Sequence, residues 1–482
     1  MTMRRLIPLI FFALAGLHAA SLTEKIERAL NAATGLRRGY LGLEIVDLST
    51  GEVVFESNAD RLFVPASNSK LFTTALGLTH LGPDFRFHTT VVAPGQPDSE
   101  GTISGAVSLV GGGDPNLSGR ELPYRVDSPP GDGLQAIAAL AGQMVAKGVR
   151  RIDGDIVGDD TAYVWEPYPE AWGMGDSLWE YGAPVSALTI NDNAFTVAVE
   201  AGDPARITIS PPFEFYEIDN LVRTGSPRKI RFDRDPGSMQ LRISGQLPPG
   251  DPGLAEMLAI HDPALYAAAA LRDALMRRGV VVRGKAVVRH ALWNEPVAPP
   301  AGFEMARIDS APLIEDLRVL AKVSQNLHAE LILRAVGRAE AGAGTREAGL
   351  RVMREFLKQL GVTADEYLPN DGSGLSRTNL VTPAAVVKLL QFMYRSPNRE
   401  NWLSLLPVGG EDGTLRLRMR KTSAAGRIRA KTGSLTHVST LSGYAERRDG
   451  TMLVFSLMAN NQNAPSAYVR AALDKICVLM TQ

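Results

Sequence analysis

Apolar and polar positions alternate through LGLEIVDLSTGEVVFES, residues 41–57, and the alternation is interrupted at Ser49-Thr50-Gly51. That predicts two strands joined by a turn. Behind Pro65 the period changes: Leu71, Phe72, Ala75, Leu76 and Leu78 recur at helical spacing, so this segment should lay one side into a core. From about residue 89 to 305 the pattern breaks into short β-type runs, such as TISGAVSLV and RRIDGDIVGD. Between them lie the Pro/Gly-rich stretches VDSPPGDG, LPPGDPG and WNEPVAPPAGF, so the region reads as inserted, β-rich material in two subdomains. Helical periodicity returns after Pro312 in LIEDLRVLAKVSQNLHAELILRAVGRA, GLRVMREFLKQLG and PAAVVKLLQFMYR. The tail IRAKTGSLTHVSTLSGYAERRDGTMLVFSLMANN alternates again about an Arg-Asp-Gly turn, and an amphipathic helix follows it.

At 482 residues the chain exceeds one small core, which predicts two or three domains or one domain with large insertions. A hydrophobic fraction of 45% and a charged fraction of 21% are those of an ordinary globular protein, and a net charge of −1 gives no electrostatic reason to propose nucleic acid or an anionic membrane as partner. The first residues differ: Arg4 and Arg5 precede the apolar run Leu6 to Leu17, which ends in His18-Ala19-Ala20. This is the layout of a secretory signal peptide over residues 1–20, and it predicts an exported chain. No later segment is apolar enough to span a bilayer, so the mature chain is expected to lack an integral membrane segment, though a loose surface association is compatible with the sequence. Cys477 is the only cysteine; no internal disulfide can form, and it reads as a small core residue of the last helix.

Ser67 and Lys70 stand three positions apart at the entrance to the first apolar helix, where residues i and i+3 share a face. A lysine desolvated there loses proton affinity and becomes a base for the serine. The local pattern fits a helix cap followed by a snorkelling lysine equally well. Ser226-Pro227-Arg228-Lys229 repeats the spacing in a polar stretch with no apolar helix behind it. Two further short motifs lie downstream: Ser324-Gln325-Asn326 at a junction among helices, and Lys431-Thr432-Gly433 on an expected strand. Each has its decoy, Ser396-Pro397-Asn398 in a loop and Lys421-Thr422-Ser423 without the glycine. The glycine run GGGDPNL lacks a following Lys-Ser/Thr and reads as a turn ending a strand. The seven histidines show no His-Glu-x-x-His spacing, which argues against a zinc peptidase, and Asp371 stands where Gly-x-Ser-x-Gly needs its first glycine.

The order of the three motifs carries the information. A Ser-x-x-Lys after an N-terminal hairpin, a Ser-x-Asn among helices and a Lys-Thr-Gly on a late strand resemble the active-site set of the penicillin-recognising serine acyltransferases. The stretches GGGDPNL, YGAPVSALTINDN, DGSGLSRTNLVTP and LPVGGEDGTLRLRM are similar to those of the class C low-molecular-mass penicillin-binding proteins, the DacB-like D-alanyl-D-alanine carboxypeptidase/endopeptidases. The long insertion between Ser67 and Ser324 sets this family apart from compact β-lactamases, and no class A deacylating glutamate loop is found.

The resemblance implies an α/β (α+β) fold: a β-lactamase/transpeptidase-like domain over residues 21–88 and 306–482, its antiparallel sheet flanked by helices. It implies an inserted domain II over 89–112 and 183–305, and an inserted domain III over 113–182. It makes Ser67 the nucleophile and Lys70 its base, with Ser324 relaying a proton to the leaving amine and Asn326 orienting Lys70 and substrate. The N–H groups of Ser67 and Ser434 would hold the oxyanion, and Lys431, Thr432 and Gly433 would form the strand that receives the terminal carboxylate. For the diamino acid of a stem peptide, Arg377 would face its carboxylate, Asp159 or Asp160 its amine, and Leu435 its side-chain stem. The implied partners are peptidoglycan stem peptides ending in D-Ala-D-Ala or D-centred cross-links, with β-lactams as inhibitors; no metal and no cofactor is needed. A non-catalytic peptidoglycan-binding scaffold and a β-lactamase are the competing expectations.

Overall fold

The structure is a computed structural model that describes residues 20–125, 127, 128, 131–295 and 297–482. The leader expected over residues 1–20 lies, apart from Ala20, outside them. The chain opens with helix α1 (Leu22–Ala32), strands β1 (Tyr40–Asp47) and β2 (Val53–Ser57), and helix α2 (Ser69–His80). The inserted region begins with β3 (His88–Ala93), β4 (Thr102–Ile103), β5 (Val107–Val110), α3 (Gln135–Ala146), β6 (Arg151–Ile152) and β7 (Ile156–Val164). It continues through β8 (Ala194–Glu200), β9 (Arg206–Ser210), β10 (Glu217–Thr224), β11 (Lys229–Asp233), β12 (Gln240–Leu247) and β13 (Leu254–Ala259). It closes with α4 (Pro263–Arg277), β14 (Val281–Val282), β15 (Ala286–Ala291) and β16 (Phe303–Asp309). Helices α5 (Leu313–Val323), α6 (Asn326–Ala341) and α7 (Arg346–Gln359) follow, then β17 (Tyr367–Leu368), β18 (Leu380–Val381), α8 (Pro383–Arg395) and α9 (Arg399–Leu405). Strands β19 (Ile428–Leu435), β20 (Val438–Glu446) and β21 (Met452–Asn460) precede the last helix, α10 (Ser466–Met480).

Local chemistry sets several of these boundaries. Ser21 and Glu24 form a reciprocal capping box that starts α1, and Thr345 and Thr382 accept the backbone N–H of Ala348 and Ala385 at the heads of α7 and α8. The sheet built from both ends of the chain is antiparallel in the order β19-β20-β21-β1-β2. Alternation along β21 sends Leu453, Phe455 and Leu457 toward α1 and α10, where they meet Ile26, Ile476 and Cys477. Val454 and Met458 face the other way, into the core with Phe72, Leu317, Ile332 and Val386 of the central helices. The sheet is thus buried on both sides, and its edge strand β19 carries Lys431-Thr432-Gly433.

The insertion leaves by β3 and returns by β16, which pair antiparallel from His88↔Asp309, so the two crossings lie side by side. Its main sheet runs β15-β7-β5-β3-β16, with smaller three-stranded sheets β13-β8-β9, β10-β12-β11 and β14-β6-β4. The expected division of this region is corrected here. Residues 113–182 are not a separate unit, because β7 pairs in parallel with both β5 and β15. Ile137, Leu140 and Met144 of α3 share one core with Leu109, Ile156, Phe195, Leu241 and Leu271. Parallel pairing joins segments far apart in the chain, and grouping by contiguity misplaces them. The region also carries two covering helices, α3 and α4, beside its strands.

Candidate active site

A short 3-10 turn, Ala66–Asn68, runs directly into α2, and Ser67 lies at its centre, half-buried. Ala66 has φ 48°, a region that L-residues rarely adopt. The turn is tied down on two sides. Thr440 Oγ1 donates to the Pro65 carbonyl at 2.8 Å, and Asn68 Nδ2 donates to Ser442 Oγ at 2.6 Å, which fixes it to β20. Gly433 permits this approach: a Cβ there would lie 2.2 Å from Thr440 Oγ1, 2.7 Å from the Pro65 carbonyl and 3.0 Å from Ser67 N. That is the physical reason for the glycine in Lys-Thr-Gly.

Lys70, the second residue of α2, is fully buried, and its Nζ has three neighbours: Ser67 Oγ at 3.0 Å, Asn326 Oδ1 at 2.6 Å and the Ser373 carbonyl at 2.6 Å. Burial pulls its pKa down to about 7, against the charges of Asp371 and Glu330, which pull it up. The snorkelling alternative does not apply to a side chain with no exposure. A neutral amine has two N–H groups and one lone pair. The two carbonyl-type oxygens only accept, so they take both N–H groups and leave the lone pair to the Ser67 hydroxyl. Asn326 is itself oriented, since its Nδ2 donates to the Tyr181 carbonyl at 2.7 Å.

Ser324 occupies the junction between α5 and α6 with φ 70° and ψ 36°. The left-handed residue breaks the helical run and starts α6 anew at Asn326, so the two ends of Ser-x-Asn belong to different helices. Lys431 Nζ donates to Ser324 Oγ at 2.7 Å and to the Thr432 carbonyl at 2.9 Å. Lys431 is buried, and its proton affinity is held well below that of a free lysine, first by desolvation and then by the nearby Lys70 charge. Thr432 Oγ1 donates to Thr414 Oγ1 at 2.8 Å.

The fourth wall is the loop of residues 370–379. Glu330 Oε1 accepts the backbone N–H of Gly372 and Ser373 at 2.8 and 2.9 Å, which turns the Ser373 carbonyl toward Lys70. Asp371 accepts from Gly374 N, Ser376 N, Asn379 Nδ2 and Trp172 Nε1 at 2.6 to 2.9 Å. Burial, then the Asp371 charge, raises the Glu330 pKa to about 7, opposed by Arg334 at 3.1 Å. Sequence reasoning missed Glu330, Asp371 and the Ser373 carbonyl. A signal was present for the first: Asn326, Glu330 and Arg334 recur at i+4 along one face of an apolar-rich helix.

A cleft of about 460 Å³ opens above Ser67, lined by Asn326, Arg377, Ser434, Leu435 and Thr436 on one hand and by Ala171, Gly173, Asp176 and Tyr181 of the insertion on the other. Arg377 is exposed and donates from both Nη atoms to the Thr436 carbonyl at 3.2 Å. The assignment of Asp160 is corrected. It is buried within β7, neither in a turn nor in the cleft, with Oδ2 accepting from Ser186 Oγ at 2.8 Å and Oδ1 hydrogen-bonded to His290 Nδ1 at 2.9 Å. Asp159 is spent in the same way, on Thr161 and Arg289. Among the described residues, the acidic side chain lining the cleft is Asp176, which accepts from Gly173 N at 3.0 Å and Tyr181 Oη at 3.2 Å. No local signal marks Asp176, because the insertion brings it from 109 positions beyond Ser67.

The chain was compared with known proteins on this basis. It is 35% identical over 490 residues to the D-alanyl-D-alanine carboxypeptidase of Actinomadura sp. (strain R39), covering 98% of this chain and 87% of that one. It is 29% identical to the carboxypeptidase DacB of Mycolicibacterium smegmatis, covering 94% of this chain and 85% of the relative. Among solved structures, penicillin binding protein 4 of Haemophilus influenzae superposes with a TM-score of 0.80 at 22% identity, over 93% of this chain and 97% of that one. The D-Ala-D-Ala carboxypeptidase 3 (S13) family matches residues 22–479, and with nearly the whole chain matched, the protein belongs to that family of serine peptidases.

Proposed function

We propose that this protein is a serine-type D-alanyl-D-alanine carboxypeptidase that works through an acyl-enzyme and also opens D-centred cross-links. One observation carries the reading: a serine hydroxyl 3.0 Å from a fully buried lysine amine whose two N–H groups are claimed by carbonyl oxygens. Lys70 takes the Ser67 proton as Oγ attacks the carbonyl carbon of the penultimate D-Ala. The backbone N–H groups of Ser67 and Ser434 receive the oxyanion. When the C–N bond breaks, Ser324, held by Lys431 at 2.7 Å, hands its proton to the leaving amine, and the proton that Lys70 took from Ser67 replaces it, so that Lys70 is neutral again and Lys431 keeps its charge. Lys431 and Thr432 meet the terminal carboxylate, and water then hydrolyses the ester. A β-lactam follows the first step and stays attached. In the substrate's diamino acid, Arg377 takes the carboxylate and Asp176, in place of Asp160, takes the amine, with Leu435 beneath the stem.

The substrate class lies outside the cytoplasm, in keeping with the Arg4-Arg5 and Leu6 to Leu17 leader; among the described residues no helix is long and apolar enough to cross a membrane. The test is the intact mass of the mature protein after incubation with benzylpenicillin, with Ser67→Ala as control. A stable one-to-one adduct mapped to Ser67 and absent from the variant is expected. No adduct and no β-lactam consumed would leave the scaffold reading, and rapid release of hydrolysed drug would leave the β-lactamase reading.

A further inference from the structure

The free edge of β19 is only partly free. Residues 407–409 pair along it: Ala430 N donates to the Pro407 carbonyl at 3.0 Å, Gly409 N to the Ile428 carbonyl at 2.9 Å, and Val408 bridges Arg429. From Lys431 onward the edge faces the cleft. An extended peptide added there antiparallel to β19 runs its C-terminus into this loop. The loop is rigidly held. Asp412 accepts from Val408 N at 2.8 Å and from Lys322 Nζ at 2.5 Å, and Lys322, buried near the end of α5, also donates to the Leu406 carbonyl at 2.7 Å. Gly413 has φ 53°, and a Cβ on it would stand 2.9 Å from the Lys322 carbonyl. The residue that this anchor presents is Thr414, exposed, with Oγ1 accepting from Thr432 Oγ1 and with no acceptor for its own proton among the described residues.

We propose that Thr414 is a specificity residue that touches substrate: its hydroxyl donates to the C-terminal carboxylate beside Lys431 and Thr432, at the point where the 406–416 loop ends the substrate strand. The Lys322–Asp412 pair positions it, and fixes it to the same helix end that carries Ser324. The inference rests on the carboxypeptidase reading above and names a further contact in that site.

The test compares Thr414→Val and Thr414→Ser on two acyl-D-Ala-D-Ala peptides, one with a free C-terminal carboxylate and one with a carboxamide. A lost hydrogen bond to a charged group raises KM for the acid about tenfold in Thr414→Val with kcat nearly unchanged, leaves the amide's parameters at their wild-type values, and is reversed by Thr414→Ser. Equal losses on acid and amide would reduce Thr414 to a support for the loop, and an unchanged KM for the acid would remove it from the site; either overturns the proposal. Benzylpenicillin adduct formation by the wild type is followed alongside. Its failure would bring down the carboxypeptidase reading and this inference together, whereas a normal adduct with an unselective Thr414→Val would sink this inference alone.

Discussion

The floor of the cleft and its rim are built by different rules. On the floor, Lys70 and Lys431 are buried, and their amines, together with the Asn326 amide, bond to groups inside the protein at 2.6 to 3.0 Å. On the rim, Arg377 leans on one carbonyl at 3.2 Å from an exposed position, and Asp176 is held by its own turn and by Tyr181 at 3.2 Å. Burial on the floor changes what the side chains are: a lysine with a pKa near 7 is a base and not a fixed cation. The rim leaves its charges at the edge of water, where they select and release. Preorganisation is concentrated where protons move, and adaptability where the substrate's identity is read.

The sharpest break of that contrast is Lys70→Met, which removes the proposed base and leaves the hydroxyl. General base catalysis contributes on the order of a thousandfold, so acylation of Ser67 by benzylpenicillin should slow by about that factor, read by stopped-flow or by the mass of quenched samples. In the wild type the same lysine sets the acid limb. Below about pH 7 it holds its proton and has no lone pair for Ser67, so acylation should fall as pH drops through that value. A flat profile from pH 5.5 to 8.5 would show that Lys70 is not the proton acceptor.

Glu330→Gln probes the support beneath the floor. A glutamine keeps a carbonyl oxygen for Gly372 N and Ser373 N and removes the charge. Two effects follow. The Glu330 charge raises the Lys70 pKa, so the acid limb of acylation should move to lower pH in the variant. The second concerns stability. The folded-state pKa of Glu330 is raised from 4.5 to about 7, so the folded protein holds this proton more tightly than the unfolded chain does, and wild-type stability falls as pH rises across that window. The variant carries no such group. Its unfolding free energy should gain on the wild type by up to about 3 kcal/mol between pH 4.5 and pH 7.5, measured by urea denaturation. A difference that is constant with pH would place Glu330 in contact with water.

What the sequence made legible follows the same division. Ser67 and Lys70 are three apart, Ser324 and Asn326 two apart, and Lys431 to Gly433 consecutive, so each motif is held by one turn, one helix junction or one strand. Local geometry is what spacing encodes, and hydrogen bonds join Ser67, Lys70 and Asn326, and Ser324 with Lys431. The rest depends on contacts between distant segments. Asp160 is expected to face the substrate's amine, yet parallel pairing of β7 with β5 and β15 buries that strand, and Ser186 and His290 close over its carboxylate. The same pairing defeats the expected border at residue 113. The Ser373 carbonyl is unreadable for a simpler reason, since any residue carries one and only the tertiary turn held by Glu330 aims it at Lys70.

The smallest effects belong to the rim and are the most selective. Among the described residues, Arg377 and Asp176 are the charged side chains that line the cleft beside Ser67, and Arg377 sits on the loop of residues 370–379 while Asp176 comes from the insertion. If they read a diamino acid with a free amine and a free carboxylate, each substitution should harm one class of substrate. Arg377→Ala should lower kcat/KM about tenfold for peptides whose side chain carries the carboxylate, because a charge-assisted bond near solvent is screened and contributes modestly. Peptides bearing only the amine should be indifferent to Arg377→Ala and sensitive to Asp176→Asn by a similar or smaller factor. Acylation by benzylpenicillin, which has neither group at that place, should proceed at the wild-type rate in both variants. Loss of benzylpenicillin acylation in Arg377→Ala would mean that the rim supports the floor through Thr436 and β19, and the division between the two regions would no longer hold.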